Sequence, residues 1–502
     1  MNSDILRRMR VDRLLRRLLA MFRRFPLAAL AAVPLLPGAS PGWASAADRR
    51  LNVLFIASDD LRMNLGCLGD PVAKTPHLDA LARRGVLFER AYCQQALCNP
   101  SRASLLTGRR PDTLRVWNLP THFRETLPDV VTLPQHFKQQ GYFTQNIGKI
   151  FHNWRTKIQG DPISWSVPAE MHFASHGADV AVIDGGVPPP NLAAVKGAES
   201  RDVPDEAYFD GRVAKRAIES LQQISRRPEP FFLAVGFWKP HTPFNPPKRY
   251  WDLYKRGEIP PVNNPEAPKD APHFAVKGAS ELAAGTREAI GELRHGYYAA
   301  TSYLDAQVGK IVAELDRLGL ADRTVIVFWS DHGFHLGEHG LWGKTSNYEL
   351  DARVPLIVAA PGVAREGART RSMVELLDVY PTLVDLCGLP KVNGLEGVSF
   401  RPVLENPAVR VKDAAFTQTP RPPNIQGGQS DVMGYSMRDE RYRYTEWREW
   451  STGRVHAAEL YDHGLDPDEN VNRADDPLLA ALRASLSARL ARQFPPRALP
   501  VP

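Results

Sequence analysis

Short apolar segments alternate with segments of helical periodicity along most of this chain. Residues 51–58, 324–330 and 354–359 are apolar runs with the length of a strand that is buried on both faces. Apolar residues recur at helical spacing in 205–225 and in 287–318, the second of which forms one helix or two. Strands buried on both faces need helices on both sides of their sheet. The pattern therefore predicts an α/β fold with a largely parallel sheet.

Three regions follow from the same pattern. Residues 1–46 are predicted to be an export signal, residues 47–409 the main α/β domain, and residues 410–502 a smaller C-terminal α+β subdomain. The last boundary marks a change of pattern to short strand-like segments and one amphipathic helix. These segments are 414–418, 432–437, 442–447, 457–461 and the helix 477–494.

The positive charge of the chain lies mostly in residues 1–46. The formal net charge is +7, and eight arginines against two aspartates in that segment supply +6 of it. The nearly neutral remainder argues against a nucleic-acid partner. The arginines precede the apolar stretch 26–36 and then Ala44-Ser45-Ala46, as in a cleaved export signal. Because the stretch is too short to span a bilayer, we expect no stable membrane insertion after signal removal; an uncleaved amphipathic anchor is the alternative.

Two further counts concern the compartment. Four cysteines in 502 residues are too few for a disulfide framework. The chain has no Asn-x-Ser/Thr glycosylation sequon, which a eukaryotic secreted protein of this length would usually carry. Together with the signal, these counts predict a bacterial periplasmic or secreted protein.

The most specific motif is CNPSRASLLTGR at residues 98–109. Asn99 is suited to cap a helix, Pro100 to occupy its first position and Gly108 to end it. Cys98 would then lie just ahead of a helix N-terminus, where free N–H groups and the positive end of the helix dipole favour an anion. The alternative is a structural cysteine beside a helix.

Acidic pairs follow two of the predicted strands. Asp59 and Asp60 come after strand 51–58, and Asp331 and His332 come after strand 324–330. Ligand sites in open α/β sheets lie at these carboxyl ends. Three carboxylates and one imidazole would hold a divalent cation, and the oxygen donors favour Ca²⁺ or Mg²⁺. The alternative for either pair alone is a loop-capping aspartate.

Basic side chains follow strands in the same way. Lys149 and His152 come after strand 142–147, His241 comes after strand 231–237, and Lys344 lies beyond Asp331. Taken alone, each is more often a surface charge than a functional group. Beside the cysteine motif and the acidic pairs, they are candidates to bind an anion.

Residues 98–109 resemble the signature C-x-P-S-R-x-x-x-L-T-G-R of the formylglycine-dependent sulfatase family, with every fixed position present. Further runs, among them 94–98, 302–305 and 441–444, look like the iduronate-2-sulfatase branch of that family. The resemblance covers most of residues 51–465. It implies an alkaline-phosphatase-like α/β core with a smaller C-terminal subdomain.

The resemblance also implies a chemistry. A maturation enzyme would convert Cys98 to formylglycine, whose hydrate supplies a hydroxyl nucleophile. One cation, most simply Ca²⁺, would be held by Asp59, Asp60, Cys98, Asp331 and His332, although many family members carry Asn in place of His332. The implied catalytic residues are Lys149 and Arg102, which would hold the hydrate, His152, which would take its proton, and Lys344 and His241, which would clamp the sulfate, with His241 protonating the leaving alcohol.

The expected reaction is hydrolysis of a sulfate monoester on a saccharide, namely a 2-O-sulfate of a uronic acid. Arg441 and Arg443 are candidates to bind the carboxylate of that sugar, because a guanidinium donates two parallel hydrogen bonds to a carboxylate. Two alternatives stay open. One is a phosphonate or phosphodiester hydrolase of the same superfamily, and the other is a non-catalytic binder of sulfated glycans in which Cys98 is never converted.

Overall fold

A computed structural model describes residues 50–153, 156–172, 197–276 and 287–500. The predicted export signal at 1–46 lies outside the described residues. Within these ranges no helix combines the length and the apolar character needed to cross a bilayer. All four cysteines are free thiols, as the low cysteine count predicted.

The main sheet contains eight strands in the order β10-β2-β8-β5-β1-β4-β3, with β9 paired to β2. The strands are β1 (Asn52–Asp59), β2 (Val86–Tyr92), β3 (Phe143–Gly148), β4 (Phe231–Pro240), β5 (Thr324–Ser330), β6 (His335–Leu336), β7 (Trp342–Gly343), β8 (Arg353–Ala359), β9 (Ala368–Thr370) and β10 (Val374–Glu375), of which β6 and β7 form a separate hairpin.

All pairs in the main sheet are parallel except those of β8, which runs antiparallel to both β2 and β5. The prediction of a largely parallel sheet is confirmed, with strand 354–359 as the reversed member. The connection between β5 and β8 contains only the hairpin β6–β7 and one short helix, not a long crossover. A chain that does not cross over the sheet must return antiparallel.

Helices cover both faces of the main sheet. The α-helices of the described residues are α1 (Pro76–Arg83), α2 (Cys98–Thr107), α3 (Pro111–Leu114), α4 (Leu133–Gln139), α5 (Phe209–Ile224), α6 (Lys248–Trp251), α7 (His273–Val276), α8 (Arg287–Arg317), α9 (Glu349–Ala352), α10 (Val379–Leu386), α11 (Arg401–Glu405) and α12 (Ala480–Gln493). Of these, α7 and α12 pack on the C-terminal sheet. The segment 287–318 thus forms a single helix.

Alternate residues of β1 belong to two separate cores. Val53 and Phe55 pack with residues of α2, α4 and α10, whereas Leu54 and Ile56 pack with residues of α1, α5 and α8. All four side chains are fully buried. Each such side chain contributes roughly 1.5–3 kcal/mol relative to exposure, which explains why the strand reads as a continuous apolar run.

The C-terminal sheet is antiparallel, in the order β11 (Ala415–Arg421), β12 (Val432–Arg438), β13 (Tyr442–Glu449) and β14 (Val455–Asp462). Leu486 and Leu490 of α12 pack on Tyr435 and Tyr444 of this sheet in a third core. This is the predicted smaller α+β part. Because Arg50–Pro502 form one compact unit, the domain boundary at 409/410 stays a prediction.

Candidate active site

The acidic and basic residues that follow the strands lie at one edge of the main sheet. Asp59 is the last residue of β1, Asp331 follows β5, Lys149 follows β3, and His241 follows β4. These strands are parallel neighbours, so their carboxyl ends lie side by side. The alternation of strands and helices therefore positions these side chains without any need for them to be close in the sequence.

Cys98 lies at the start of α2 and is 2% exposed. The helix begins two residues earlier than predicted, since Leu97 is its N-cap and Cys98 its first residue. Asn99 does not cap it; its amide instead donates to the carbonyls of Asn118, Leu119 and Thr121. Gly108 ends the helix with φ 65°, as predicted, in the left-handed conformation that suits glycine.

Arg102 joins three strand ends to α2. Its Nε donates to Asp331 Oδ2 at 2.8 Å, and its Nη1 donates to the carbonyls of Lys149 and Ile150 at 2.6 and 3.2 Å. Its Nη2 donates to the Ser58 carbonyl at 3.0 Å and to Asp59 Oδ1 at 3.4 Å. A guanidinium has five N–H donors, and all five are used here. Arg102 is thus a positioning residue that fixes the carboxylates and Lys149.

Asp59 and Asp60 each pair with a buried lysine. Lys149 Nζ contacts Asp59 Oδ2, and Lys344 Nζ lies 2.8 Å from Asp60 Oδ1 and 3.0 Å from Asp60 Oδ2. Burial alone would raise the pKa of the Asp59 carboxyl, but the charges of Lys149, His241 and Arg102 hold that pKa well below its usual range. Asp59 is therefore a carboxylate at neutral pH.

Backbone geometry aims the Asp60 side chain into the site. Asp60 has φ 62°, a left-handed conformation that an aspartate adopts more readily than most residues. Its backbone N–H donates to Asp331 Oδ1 at 3.2 Å, and its carbonyl accepts from the Tyr297 hydroxyl at 2.7 Å. Leu61 N–H donates to Ser330 Oγ at 3.0 Å. These bonds connect the turn after β1 to the turn after β5.

Four of the five predicted metal ligands present atoms that all lie within 4.8 Å of one another: Asp59, Asp60, Cys98 and His332. Asp331 lies beside them, with its Oδ2 3.7 Å from His332 Nε2. Its carboxylate accepts hydrogen bonds from Arg102 Nε and from the backbone N–H groups of Asp60 and His332. Carboxylate oxygens suit a hard divalent cation. The donor set of this centre therefore fits one divalent cation.

His332 contacts the cysteine directly. Its Nε2 is 3.4 Å from Cys98 Sγ and 3.4 Å from Asp60 Oδ1, and its Nδ1 is 3.0 Å from the Gly333 carbonyl. Burial lowers its pKa, but the nearby charges of Asp331, Asp60 and Cys98 outweigh burial and raise the pKa to about 10. Lys344 Nζ lies 3.6 Å from the same sulfur. His332 and Lys344 thus both face Cys98.

The two remaining predicted histidines differ in their contacts. His241 Nε2 is 3.8 Å from Asp60 Oδ2, and its Nδ1 is 2.7 Å from the Thr242 carbonyl. His152 is 6% exposed, and neither ring nitrogen has a hydrogen-bond partner among the described residues. Burial and the charge of Lys149 hold its pKa well below its usual value, so His152 is neutral.

Two supporting groups were not predicted from the sequence. Ser101 Oγ donates to the Asp331 carbonyl at 2.5 Å, and Trp238 places its ring 4.3 Å from Lys149 Nζ. Ser101 lies within the cysteine motif, so its side chain could have been included from the motif alone. The tryptophan contact had no comparable signal, since it depends on how β4 ends beside β3.

Arg441 and Arg443 are both bound to carboxylates of this chain. Arg443 is 1% exposed; its Nε donates to Glu469 Oε1 at 2.6 Å and its Nη2 to Glu349 Oε2 at 2.5 Å. Arg441 pairs with Asp462 through two hydrogen bonds of 2.7 Å. The prediction that Arg443 meets a sugar carboxylate is wrong, because its guanidinium is already enclosed by acidic side chains.

Comparison with known proteins agrees with this geometry. The Sulfatase family model matches residues 51–389, and the model described as N-sulphoglucosamine sulphohydrolase, C-terminal, matches residues 337–494. Human iduronate 2-sulfatase is 34% identical, with 85% of this chain and 91% of that protein aligned.

Solved structures share the fold. A phosphonate monoester hydrolase of Agrobacterium radiobacter superposes with a TM-score of 0.72 at 25% identity, covering 88% of this chain and 96% of the other. A 2-O GAG sulfatase superposes with a TM-score of 0.66 at 24% identity, covering 89% and 92%. The expected sulfatase-like α/β architecture is thereby confirmed.

This chain belongs to the sulfatase family. It is a sulfuric ester hydrolase, and the resemblance to iduronate 2-sulfatase that the sequence motifs indicated is confirmed over most of its length.

Proposed function

We propose that this sulfatase removes a sulfate ester from an acidic saccharide, using a nucleophile formed at Cys98 and one Ca²⁺. The observation that carries the proposal is the position of Cys98 Sγ, at the start of α2 and within 3.4–3.6 Å of His332 Nε2 and Lys344 Nζ. An anion at this point would meet the positive end of the helix dipole and the ammonium of Lys344, while His332 as a metal ligand would be neutral.

The metal ligands would be Asp59, Asp60, Asp331, His332 and the group at position 98. When bound, Ca²⁺ would supply positive charge to the sulfate oxygens and to the nucleophile. Lys149 pairs with Asp59, and Lys344 pairs with Asp60. Both lysines would bind the anionic ester once the carboxylates of Asp59 and Asp60 coordinate the cation. Arg102 keeps Asp59 and Asp331 in position throughout.

Formylglycine at position 98 would provide a hydroxyl nucleophile in place of the thiol. Proton transfer then falls to the histidines. His152 is neutral and its ring nitrogens have no hydrogen-bond partner among the described residues, so it is suited to accept a proton. His241 faces Asp60 from the end of β4 and is the candidate to protonate the leaving alcohol.

A uronic acid bearing a 2-O-sulfate is the proposed substrate. Support comes from the 34% identity to iduronate 2-sulfatase over 85% of the chain. One structural neighbour is a 2-O GAG sulfatase, which agrees with a sulfated glycan as the substrate. We further propose that the protein is exported to the periplasm or secreted, with 1–46 as its signal, and that a formylglycine-generating enzyme matures it.

The test is production with and without a formylglycine-generating enzyme, followed by peptide mass spectrometry and kinetics. We expect an aldehyde at position 98 and none at Cys67, a partly exposed thiol outside the motif. The kcat/KM should be higher for 2-sulfated iduronate than for a matched neutral sulfated sugar. Full activity with only a thiol at position 98 would disprove the nucleophile, and equal kcat/KM values would disprove the uronate preference.

A phosphonate monoester hydrolase is the second candidate, because one such enzyme superposes with a TM-score of 0.72. The same centre can accommodate either tetrahedral anion. Turnover of an aryl sulfate and of an aryl phosphonate monoester by the matured protein distinguishes the two activities. A higher kcat/KM for the phosphonate would replace the first proposal by the second.

A further inference from the structure

A basic groove lies outside the catalytic centre, between the end of β2 and the C-terminal sheet. It consists of two adjoining cavities of about 380 and 270 Å³. Both are lined by Arg90, Arg371, Glu440 and Arg441, and the larger is also lined by Arg353 and Arg438. None of the residues that line the two cavities belongs to the catalytic centre around Cys98.

Most acidic side chains in the groove are already neutralised. Glu89 accepts from Arg369 at 2.8 Å, Glu440 accepts from Arg410 at 2.7 Å, and Asp439 accepts from Arg489 at 2.6 Å. Asp413 and Glu440 also line the smaller cavity, but neither forms an ion pair with Arg90 or Arg371 in the described ranges. Neither guanidinium forms a hydrogen bond or ion pair with any residue in the ranges that the structure describes.

Other buried guanidinium atoms in the groove also lack acceptors. The Nε atoms of Arg353 and Arg438 form no hydrogen bond in the described part of the chain, although both side chains lie 3.4 Å from Glu349, Arg438 through this Nε and Arg353 through Nη1. Arg90 is half-buried, and burial together with the charges of Arg371 and Arg438 lowers its pKa. Like charges held together in this way favour a bound anion, because the anion relieves their repulsion.

We propose that this groove is an accessory binding site for a sulfate group of an acidic oligosaccharide, with Arg90 and Arg371 as its principal ligands. Paired guanidiniums donate bidentate hydrogen bonds to tetrahedral and planar oxyanions alike. The choice of a glycan rests on the proposed function, whereas the anion site rests on the groove itself.

The groove and the catalytic centre are close along two chain segments. Eight residues separate Arg90 from Cys98, and five separate Lys344 from Glu349, which also lines the larger cavity. Fully extended segments of these lengths span at most about 29 and 18 Å. One oligosaccharide could therefore occupy the groove with one sulfate while presenting another to Cys98, which would favour polymeric over monomeric substrates.

The experiment measures binding without turnover. The full-length chain carrying Cys98→Ala is titrated calorimetrically with a heparin octasaccharide, with a desulfated octasaccharide and with inorganic sulfate. Arg90→Gln/Arg371→Gln is added as the test pair. Arg226→Gln/Arg323→Gln removes the same charge from two exposed arginines that form no ion pair among the described residues and lie outside the groove, and it serves as the matched control.

We expect the test pair to weaken octasaccharide binding by about tenfold or more, since it removes two charge-assisted contacts. The control pair should have little effect. In the matured enzyme, with formylglycine at position 98, the test pair should leave the kcat/KM for a small aryl sulfate unchanged and raise the KM for the octasaccharide. Aryl sulfate turnover thus reports on the proposed function independently of the groove.

Unchanged octasaccharide binding in Arg90→Gln/Arg371→Gln would overturn the proposal. An equal loss in the control pair would also overturn it, because binding would then reflect only net charge. If inorganic sulfate binds as tightly as the octasaccharide, the groove is a site for the free ion. The proposal that its ligand is a glycan is then disproved. Arg371→Gln alone, at an exposed position, separates a lost contact from a folding defect.

Discussion

Two clusters of charged side chains in this protein have similar compositions but differ in how their hydrogen-bond donors and acceptors are paired. The catalytic centre gathers Asp59, Asp60, Cys98 and His332, and the Arg443 cluster, formed by Glu349, Arg443, His463 and Glu469, gathers two carboxylates and an imidazole. Either group of acidic and histidine side chains could hold a metal ion by distance alone. Composition and distance therefore do not separate the functional cluster from the structural one, although Glu349 and His463 are less buried than the catalytic residues.

The difference lies in how the donors and acceptors are paired. Arg443 donates from Nε to Glu469, from Nη2 to Glu349 and from Nη1 to Ser436 Oγ, so its carboxylate partners are occupied by a rigid group of the protein. The catalytic carboxylates instead face lysines, and His152 next to them has no hydrogen-bond partner in the described ranges. Unused polar atoms in a buried site indicate a ligand, because burying them alone costs free energy.

The largest effect is expected from Cys98→Ala. Removing the nucleophile should lower kcat by about 10⁴-fold or more, since the remaining groups only bind the substrate. The thermal unfolding midpoint should change little, because the side chain is small and lies at a helix start. Cys67→Ala, which removes a thiol outside the centre, is the control and should retain full activity. Comparable kcat values for Cys98→Ala and the wild type would refute the nucleophile assignment.

Asp59→Asn should have the next largest effect. It removes one charge that Ca²⁺ needs while it keeps the shape of the side chain, so kcat/KM should fall by about 10²-fold or more together with bound calcium. Inductively coupled plasma mass spectrometry of the purified protein measures the bound calcium, and kinetics on the same sample measure kcat/KM. Asp316→Asn, in a surface pair with Arg84, is the matched control. A metal-free Asp59→Asn enzyme with undiminished turnover would contradict the metal assignment.

The Arg443 cluster should respond in the opposite way. Arg443→Met leaves the buried Glu349 and Glu469 without their main partner, which should cost about 3–5 kcal/mol in the free energy of unfolding. The kcat of the folded fraction should be close to that of the wild type. Urea unfolding measures the stability, with Arg454→Met in an exposed pair as the control. A lost kcat with intact stability would show that this cluster is catalytic instead.

The sequence predicted five of the eight strands of the main sheet and missed β2, β9 and β10. It also predicted that Asp59, Asp60, Cys98 and His332 would lie together, because each follows a strand or begins a helix, and the structure brings their side chains together. It did not predict that all donors of Arg102 are used by the protein, or that Arg443 is enclosed. Arg443 meets Glu349 and Glu469, which are 94 and 26 residues away in the chain. Pairings over such separations depend on packing between elements. Two-residue spacing on a strand shows only that two side chains lie on the same face of the sheet.

The pH dependence of stability offers a further comparison within the Arg443 cluster. Burial opposes ionisation of Glu469, but Arg443 and His463 lower its pKa to about 2 in the folded protein. A lowered folded pKa stabilises the native state above the unfolded value of about 4.3, and this contribution is lost as pH falls from there toward 2. Glu469→Gln should therefore be less stable at pH 7 and show a flatter stability profile across that window. An unchanged slope would mean that Glu469 does not ionise as described.

The smallest effect is expected from Arg441→Ala. Arg441 is half-exposed at its side chain, and both of its hydrogen bonds go to Asp462, whose pKa they lower. A substrate carboxylate would have to compete with this bidentate partner. The ratio of kcat/KM for 2-sulfated iduronate to that for a neutral sulfated sugar should therefore stay within about twofold of the wild type, as expected for a solvated pair. Arg410→Ala, in another exposed ion pair, provides the comparison for loss of one positive charge. A selective fall of the iduronate ratio in Arg441→Ala alone would show that Asp462 releases the guanidinium to the sugar, and would return Arg441 to the substrate site.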